Sequence, residues 1–232
     1  MVAPTVVFDL DGTLVDTAPD LVATLNVIFR REGLPPVDYK VARNMVGGGA
    51  RVMIERGLAA EGRKLAPAEV ERLVRDFIDH YAVHIADHSR PFPGLAAALD
   101  ALAAGGCRLA VCTNKLQWLA IRLLDALGLS RRFVAICGAD TFGLQKPDPE
   151  LLRRTIAQAG GDPAHAIMVG DSISDIAMAR AAGVPVVAMD YGYTETPVSE
   201  FGPDRVIGAL ADLPCTAFEL LGAAVRPRAG ER

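Results

Sequence analysis

The 232-residue chain has only four cysteines, Cys107, Cys112, Cys137 and Cys215, and none shows the paired spacing of a zinc site. A chain of this length needs no disulfide staples, so the thiols read as reduced, as in a cytoplasm. It has no long basic run. Its 24 Lys and Arg stand against 28 Asp and Glu, a formal net charge of −4, which argues against nucleic-acid binding through a broad cationic face. No apolar stretch exceeds strand length, and no charged lead with a long apolar segment opens the chain. A membrane span and a secretory signal are therefore not expected. A G-x-S-x-G elbow and a Ser-His-Asp order are also missing, which leaves a serine hydrolase unsupported. What is abundant is core material: 51% of residues are hydrophobic and 22% charged, the balance of a folded domain rather than a disordered chain.

Apolar β-branched runs alternate with helical periodicity. Strands are expected at Thr5–Phe8, Arg108–Cys112, Phe133–Cys137, Ala166–Val169, Val184–Ala188 and Arg205–Ile207. Between them the pattern predicts helices at Leu95–Ala104, Leu116–Leu127, Pro149–Ala159, Ile173–Ala182 and Leu210–Ala223. Continuous apolar strands separated by helices imply an α/β fold, a doubly wound, Rossmann-like parallel sheet covered on both faces. One segment breaks this rhythm. Residues 16–91 show only helical patterns, at Asp20–Arg31, Arg51–Glu61 and Pro67–His88, and Arg90-Pro91-Phe92-Pro93-Gly94 ends them. The expected organisation is a core of residues 1–15 and 92–232 with an all-helical insert at 16–91.

The chemistry gathers at strand ends. The first strand runs into Asp9-Leu10-Asp11-Gly12-Thr13, and two acids there are costly unless something pairs with them. The fourth strand ends in Gly170-Asp171, with Asp175 four residues on in the next helix. Asp171 reads on its own as a helix N-cap. In an open parallel sheet all strands present their carboxyl ends at one rim, so Asp9, Asp11 and Asp171 are expected to converge. Carboxylates so crowded need a cation. Oxygen donors without matching His or Cys favour Mg²⁺. Thr113-Asn114 after the second strand, and Lys146 stiffened by Pro147 and Pro149, add a hydroxyl, an amide and a cation to the same rim. The helix after Thr113 is expected to offer anion-binding N–H groups. Together these make a phosphate site. Asp9 is then placed to attack phosphorus and form an aspartyl phosphate, while Asp11 protonates the leaving oxygen and later activates water.

With these motifs in order, Asp9-Leu-Asp-Gly-Thr-Leu, Thr113-Asn114, Lys146-Pro147 and Gly170-Asp171 with Asp175, the sequence resembles the haloacid dehalogenase superfamily. More narrowly it is similar to its phosphoglycolate phosphatase branch, through Thr17-Ala-Pro-Asp, Val46-Gly47-Gly48-Gly49-Ala50-Arg51 and Tyr191-Gly192-Tyr193. The resemblance implies Asp9 as nucleophile and Asp11 as acid/base. It implies Mg²⁺ held by Asp9, the main-chain carbonyl of Asp11 and Asp171, with Asp175 steadying that shell. Thr113, Asn114 and Lys146 would hold phosphate, and the insert would be a small cap that reads the rest of the substrate. Dehalogenases of the superfamily lack the second acid, and Asp11 is present, so phosphatase chemistry is favoured.

The expected reaction is hydrolysis of a small phosphorylated metabolite, 2-phosphoglycolate first. Another sugar phosphate such as N-acetylmuramate 6-phosphate, or a phosphomutase reaction, is the alternative. A receiver-like phosphoacceptor module is a further one, weakened by the large insert and by Thr113 where such a module carries its acid. Arg43 and Arg51 in the insert are candidates for a substrate carboxylate. His80, His84 and His88 recur every four residues and would share a helical stripe, read as a polar outer face rather than a metal site. A cytoplasmic monomer or homodimer, without nucleic-acid or membrane partners, is expected.

Overall fold

The structure is a computed structural model and describes residues 2–224. In chain order its first elements are β1 (Thr5–Phe8), β2 (Val15–Asp16), α1 (Ala18–Arg31), α2 (Tyr39–Arg43), α3 (Ala50–Ala60), α4 (Pro67–Val83) and β3 (Arg90–Pro91). There follow α5 (Leu95–Ala104), β4 (Arg108–Cys112), α6 (Gln117–Ala126), β5 (Ala135–Cys137), α7 (Pro149–Gln158), β6 (Ala166–Gly170), α8 (Ile173–Ala182), β7 (Val186–Met189), β8 (Arg205–Ile207) and α9 (Leu213–Ala224).

Six strands form one parallel sheet in the order β5-β4-β1-β6-β7-β8. β1 lies between β4 and β6, which explains why its Val6-Val7-Phe8 run is apolar on both faces and the strand wholly buried. Side chains alternate along each strand. Val6, Phe8, Val111 and Val169 enter one core with α5, α6 and α9; Val7, Ala110, Cys112 and Met168 enter the other with α7 and α8. Winding from β1 outward in both directions opens a crevice at the carboxyl ends of β1, β4 and β6, where such sheets bind ligands.

α1 to α4 lie between β2 and β3, which pair antiparallel with Val15 opposite Pro91 and Asp16 opposite Arg90. Phe29, Ile54, Leu73 and Phe77 build the interior of this helical segment, continuous with the first core. Gly57 lets α3 pack on the Phe29 ring, which a Cβ there would overlap. The segment is tied at its root by Asp20. Its buried carboxylate accepts from the backbone N–H of His88 (2.9 Å) and of Ser89 (2.7 Å), and from the Ser89 hydroxyl (2.6 Å).

The same bonds correct the expected helix through His88. α4 ends at Val83, because the N–H groups of His88 and Ser89 go to Asp20 rather than to carbonyls one turn back. His84 follows the last helical residue and His88 lies beyond it, so no three-histidine stripe exists; only His80 and His84 stack, 4.5 Å between centroids. The pair β2 and β3 was not expected. β5 starts two residues later than its apolar run, because Phe133 closes a 3₁₀ turn over Ser130–Arg132 and Val134 faces outward.

Candidate active site

The backbone of Asp9 stays in the sheet for one residue beyond β1, its N–H donating to the Val169 carbonyl at 2.8 Å. That fixes the Asp9 carboxylate at the rim, buried. Lys146 reaches it from the loop after β5, with Nζ 2.6 Å from Asp9 Oδ1 and 2.7 Å from Asp175 Oδ1. The Lys146 side chain is only 2% exposed, so this is a desolvated triad rather than a surface bridge. Its loop is held by Asn114, whose Oδ1 accepts the Lys146 N–H at 2.8 Å and whose amide donates to the Gly47 carbonyl of the helical segment at 3.2 Å. Thr113 is buried behind this contact, and its hydroxyl accepts the Lys115 N–H at 3.2 Å.

Asp171 is not the N-cap that its position suggested. Ser172 caps α8 and Asp175 reciprocates from the first turn, Asp175 Oδ2 lying 2.6 Å from Ser172 Oγ. Asp171, one residue earlier, is thereby left to face Asp9. It accepts from Thr13 Oγ1 at 2.8 Å and from the Tyr193 N–H at 3.1 Å. Gly12, at φ +88°, and Gly192 bring backbone so close that a Cβ on either would overlap the Asp171 carboxylate. Tyr193 ties this turn to the insert's root: its hydroxyl donates to Asp16 Oδ1 at 2.7 Å and accepts the N–H groups of Thr17 and Ala18.

Oxygen atoms of Asp9, Asp171 and Asp175 all lie within 4.8 Å of one another. Burial pushes the Asp9 carboxyl up to about 8; Lys146 opposes the rise, while Asp175 and Asp171 add to it. Burial, then Asp175, pushes Asp171 up to about 7 against the pull of Thr13 and Tyr193. Burial works against the Lys146 charge, but Asp175 and Asp9 outweigh it and hold the ammonium protonated above its usual range. One lysine thus serves three buried acids. An all-oxygen set short of positive charge fits a hard divalent cation.

The side chain of Asp11 turns away from these three. Its Oδ1 accepts from Thr17 Oγ1 at 2.7 Å and pairs with Lys115 Nζ at 3.1 Å. Lys115 also donates to the Tyr81 hydroxyl at 3.3 Å and sits 4.6 Å over that ring, which joins Asp11 to α4. Sequence reasoning missed Lys115, although it directly follows Thr113-Asn114. Asp9, Asp11, Lys146 and Asp171 line a cleft of about 320 Å³ roofed by Gly47, Gly48 and α3. A neighbouring cavity of about 230 Å³, largely apolar, runs from Asp11 and Lys115 between α3 and α4. Arg51 edges this second cavity and is paired with Glu55 (3.6 Å) and Glu71. Arg43 donates to the Tyr191 carbonyl at 3.1 Å and lies 4.7 Å over the Tyr193 ring. The start of α6 is three residues beyond Asn114, and its Gln117 N–H is taken by Asp140 at 2.6 Å, so that group is not free for an anion at the rim.

Residues 6–189 match the family model described as haloacid dehalogenase-like hydrolase. The chain belongs to that family. The match runs from β1 to the end of β7 and so contains all four acids, Lys146 and the helical segment. As a haloacid dehalogenase-like hydrolase the chain is 48% identical to a phosphoglycolate phosphatase of Caulobacter vibrioides over 226 residues, 97% of this chain and 95% of that one. It is 39% identical to an N-acetylmuramic acid 6-phosphate phosphatase of Pseudomonas aeruginosa, over 87% of this chain and 89% of that one. A crystal structure described as a predicted phosphoglycolate phosphatase from Haemophilus somnus superposes with a TM-score of 0.83 at 30% identity, covering 92% of this chain and 97% of that one.

Proposed function

We propose that the chain is a Mg²⁺-dependent phosphomonoesterase that works through an aspartyl phosphate and converts 2-phosphoglycolate to glycolate and phosphate in the cytoplasm. The observation that carries the reading is the buried Asp9 carboxylate, 2.6 Å from Lys146 and grouped with Asp171 at the rim of the cleft. The phosphoglycolate phosphatase relative at 48% identity supports the substrate. No helix among the described residues is long and apolar enough to cross a membrane.

Asp9, the main-chain carbonyl of Asp11 and Asp171 would hold Mg²⁺, which when bound supplies positive charge to the phosphoryl oxygens and keeps these carboxylates ionised. An Asp9 oxygen attacks phosphorus, the bond from phosphorus to the ester oxygen breaks, and Asp11 gives its proton to the departing oxygen. Asp11, now a carboxylate, takes a proton from the water that attacks the same phosphorus. The Asp9–phosphate bond then breaks and restores the carboxylate. Lys146, with Thr113 and Asn114, holds the phosphoryl group. Asp175 fixes Lys146 in place, and its own capping box fixes Asp175. Residues 16–91 act as a cap over the core of residues 1–15 and 92–232. The bond from Asn114 to Gly47 and the lining of the cleft by Gly47 and Gly48 support that role.

A second substrate, N-acetylmuramate 6-phosphate, is favoured by the Pseudomonas aeruginosa relative and by the 230 Å³ apolar cavity beside the cleft. A receiver-like module is set aside by the family match and by Thr113, not an acid, following β4. The test is phosphate release from a panel of small esters, with Mg²⁺ and with chelator. Turnover that requires Mg²⁺, is highest on 2-phosphoglycolate and vanishes in Asp9→Asn is expected. Indifference to chelator, or full activity of Asp9→Asn, overturns the mechanism; a flat panel overturns the substrate.

A further inference from the structure

Of the charged groups lining the cleft that holds Asp9, the cap side contributes only Arg56. It stands one helical turn after Val52, which lines the same cleft, so this face of α3 is turned toward the acids. Among the described residues Arg56 has no acidic partner within ion-pair distance, whereas the other cations near the cleft are engaged. Lys146 and Lys115 pair with buried aspartates, Arg51 pairs with Glu55 and Glu71, and Arg43 is bound to the Tyr191 carbonyl. A phosphate ester with a second anionic group must place that group above a floor lined by Asp9, Asp11 and Asp171 once its phosphoryl end reaches Asp9. Such a placement needs a cation opposite the floor, and the guanidinium fork matches a carboxylate in two parallel hydrogen bonds.

We propose that Arg56 receives the carboxylate of the substrate and is the residue that selects short phosphate esters bearing a second anionic group; this rests on the phosphatase reading above. The contact reaches from the cap to a ligand bound by the core, so it forms only while α3 lies over the site. Arg56 is exposed, so its guanidinium stays hydrated until the ligand arrives.

The experiment compares kcat/KM on 2-phosphoglycolate and on 2-hydroxyethyl phosphate, the same skeleton with a hydroxymethyl group for the carboxylate, in wild type, Arg56→Ala and Arg56→Lys. Wild type is expected to prefer 2-phosphoglycolate. Arg56→Ala should lose about 10- to 100-fold on that ester, mostly in KM, and less than about threefold on the other, with Arg56→Lys recovering part of the loss. Equal losses on both esters, or no loss on 2-phosphoglycolate, overturn the proposal. Wild type without preference overturns the substrate reading and the assignment with it. A preference that survives in Arg56→Ala overturns the role of Arg56 alone.

Discussion

Replacing Lys146 with Met keeps most of the side-chain volume and removes the charge that lies 2.6 Å from Asp9 and 2.7 Å from Asp175. Truncating one partner of a buried ion pair costs about 3–5 kcal/mol, because the remaining charge stays desolvated. Folded domains are stable by only about 5–15 kcal/mol, so a loss of this size is readable by urea titration where the carboxylates are ionised. The sign of its pH dependence follows from Asp9. Burial holds that carboxyl at about 8 in the folded chain, above its unfolded value. A raised carboxyl contributes most to stability below its unfolded pKa, and the contribution is lost as pH climbs through the folded one. Without Lys146 the folded value rises further. At pH 6 Asp9 is already neutral and its share of the loss is small; as pH climbs past about 8, wild type ionises Asp9 beside Lys146 while the variant must keep a proton there or bury an unpaired charge. Urea unfolding in EDTA, followed by circular dichroism at both pH values, should show a gap from wild type that widens with pH. Activity should fall by at least about 100-fold, since Lys146 is also aimed at the phosphoryl oxygens. A variant within 1 kcal/mol of wild type at both pH values, or one hurt more at pH 6, would refute the reasoning.

Two further outcomes follow from the same site. With Asp9 and Asp171 held at about 8 and 7 when empty, Mg²⁺ must displace protons. Its affinity measured by calorimetry should be at least about tenfold tighter at pH 8 than at pH 6 and should release protons to the buffer; a pH-independent affinity would contradict the burial argument. Gly192→Ala should displace Asp171, because the added Cβ overlaps its carboxylate. A loss of about 100-fold or more in kcat/KM is expected, together with weakened Mg²⁺ binding by titration, while unchanged kinetics would show that the turn yields.

The parts of this molecule that sequence made legible are those fixed by local pattern plus one global rule. Unbroken apolar runs gave the parallel strands, and the common direction of those strands put Asp9, Asp11, Asp171 and Lys146 at one rim. What stayed hidden depended on partners distant in the chain. β2 and β3 are two residues each, too short for any periodicity, and pair across the whole helical segment. The early end of α4 comes from Asp20, 69 residues before Ser89. Asp171 as an N-cap was a reasonable local reading, yet the capping box of Ser172 and Asp175 satisfies α8 without it. The arginines are the sharpest case. Arg43 and Arg51 stand out beside the glycine run, but Tyr191 and Glu71, remote in sequence, engage them, and the guanidinium at the cleft without an ion-pair partner among the described residues is that of Arg56.

The central claim is that the Asp9 carboxylate accepts the phosphoryl group beside a divalent cation. Crystals grown with Mg²⁺ and beryllium fluoride test it most directly, since the trifluoride mimics a phosphoryl group on a carboxylate oxygen. Density for the adduct on Asp9, with an ion bound by Asp9 and Asp171, is the predicted result; an adduct on Asp11 or Asp171, or none at all, would contradict it.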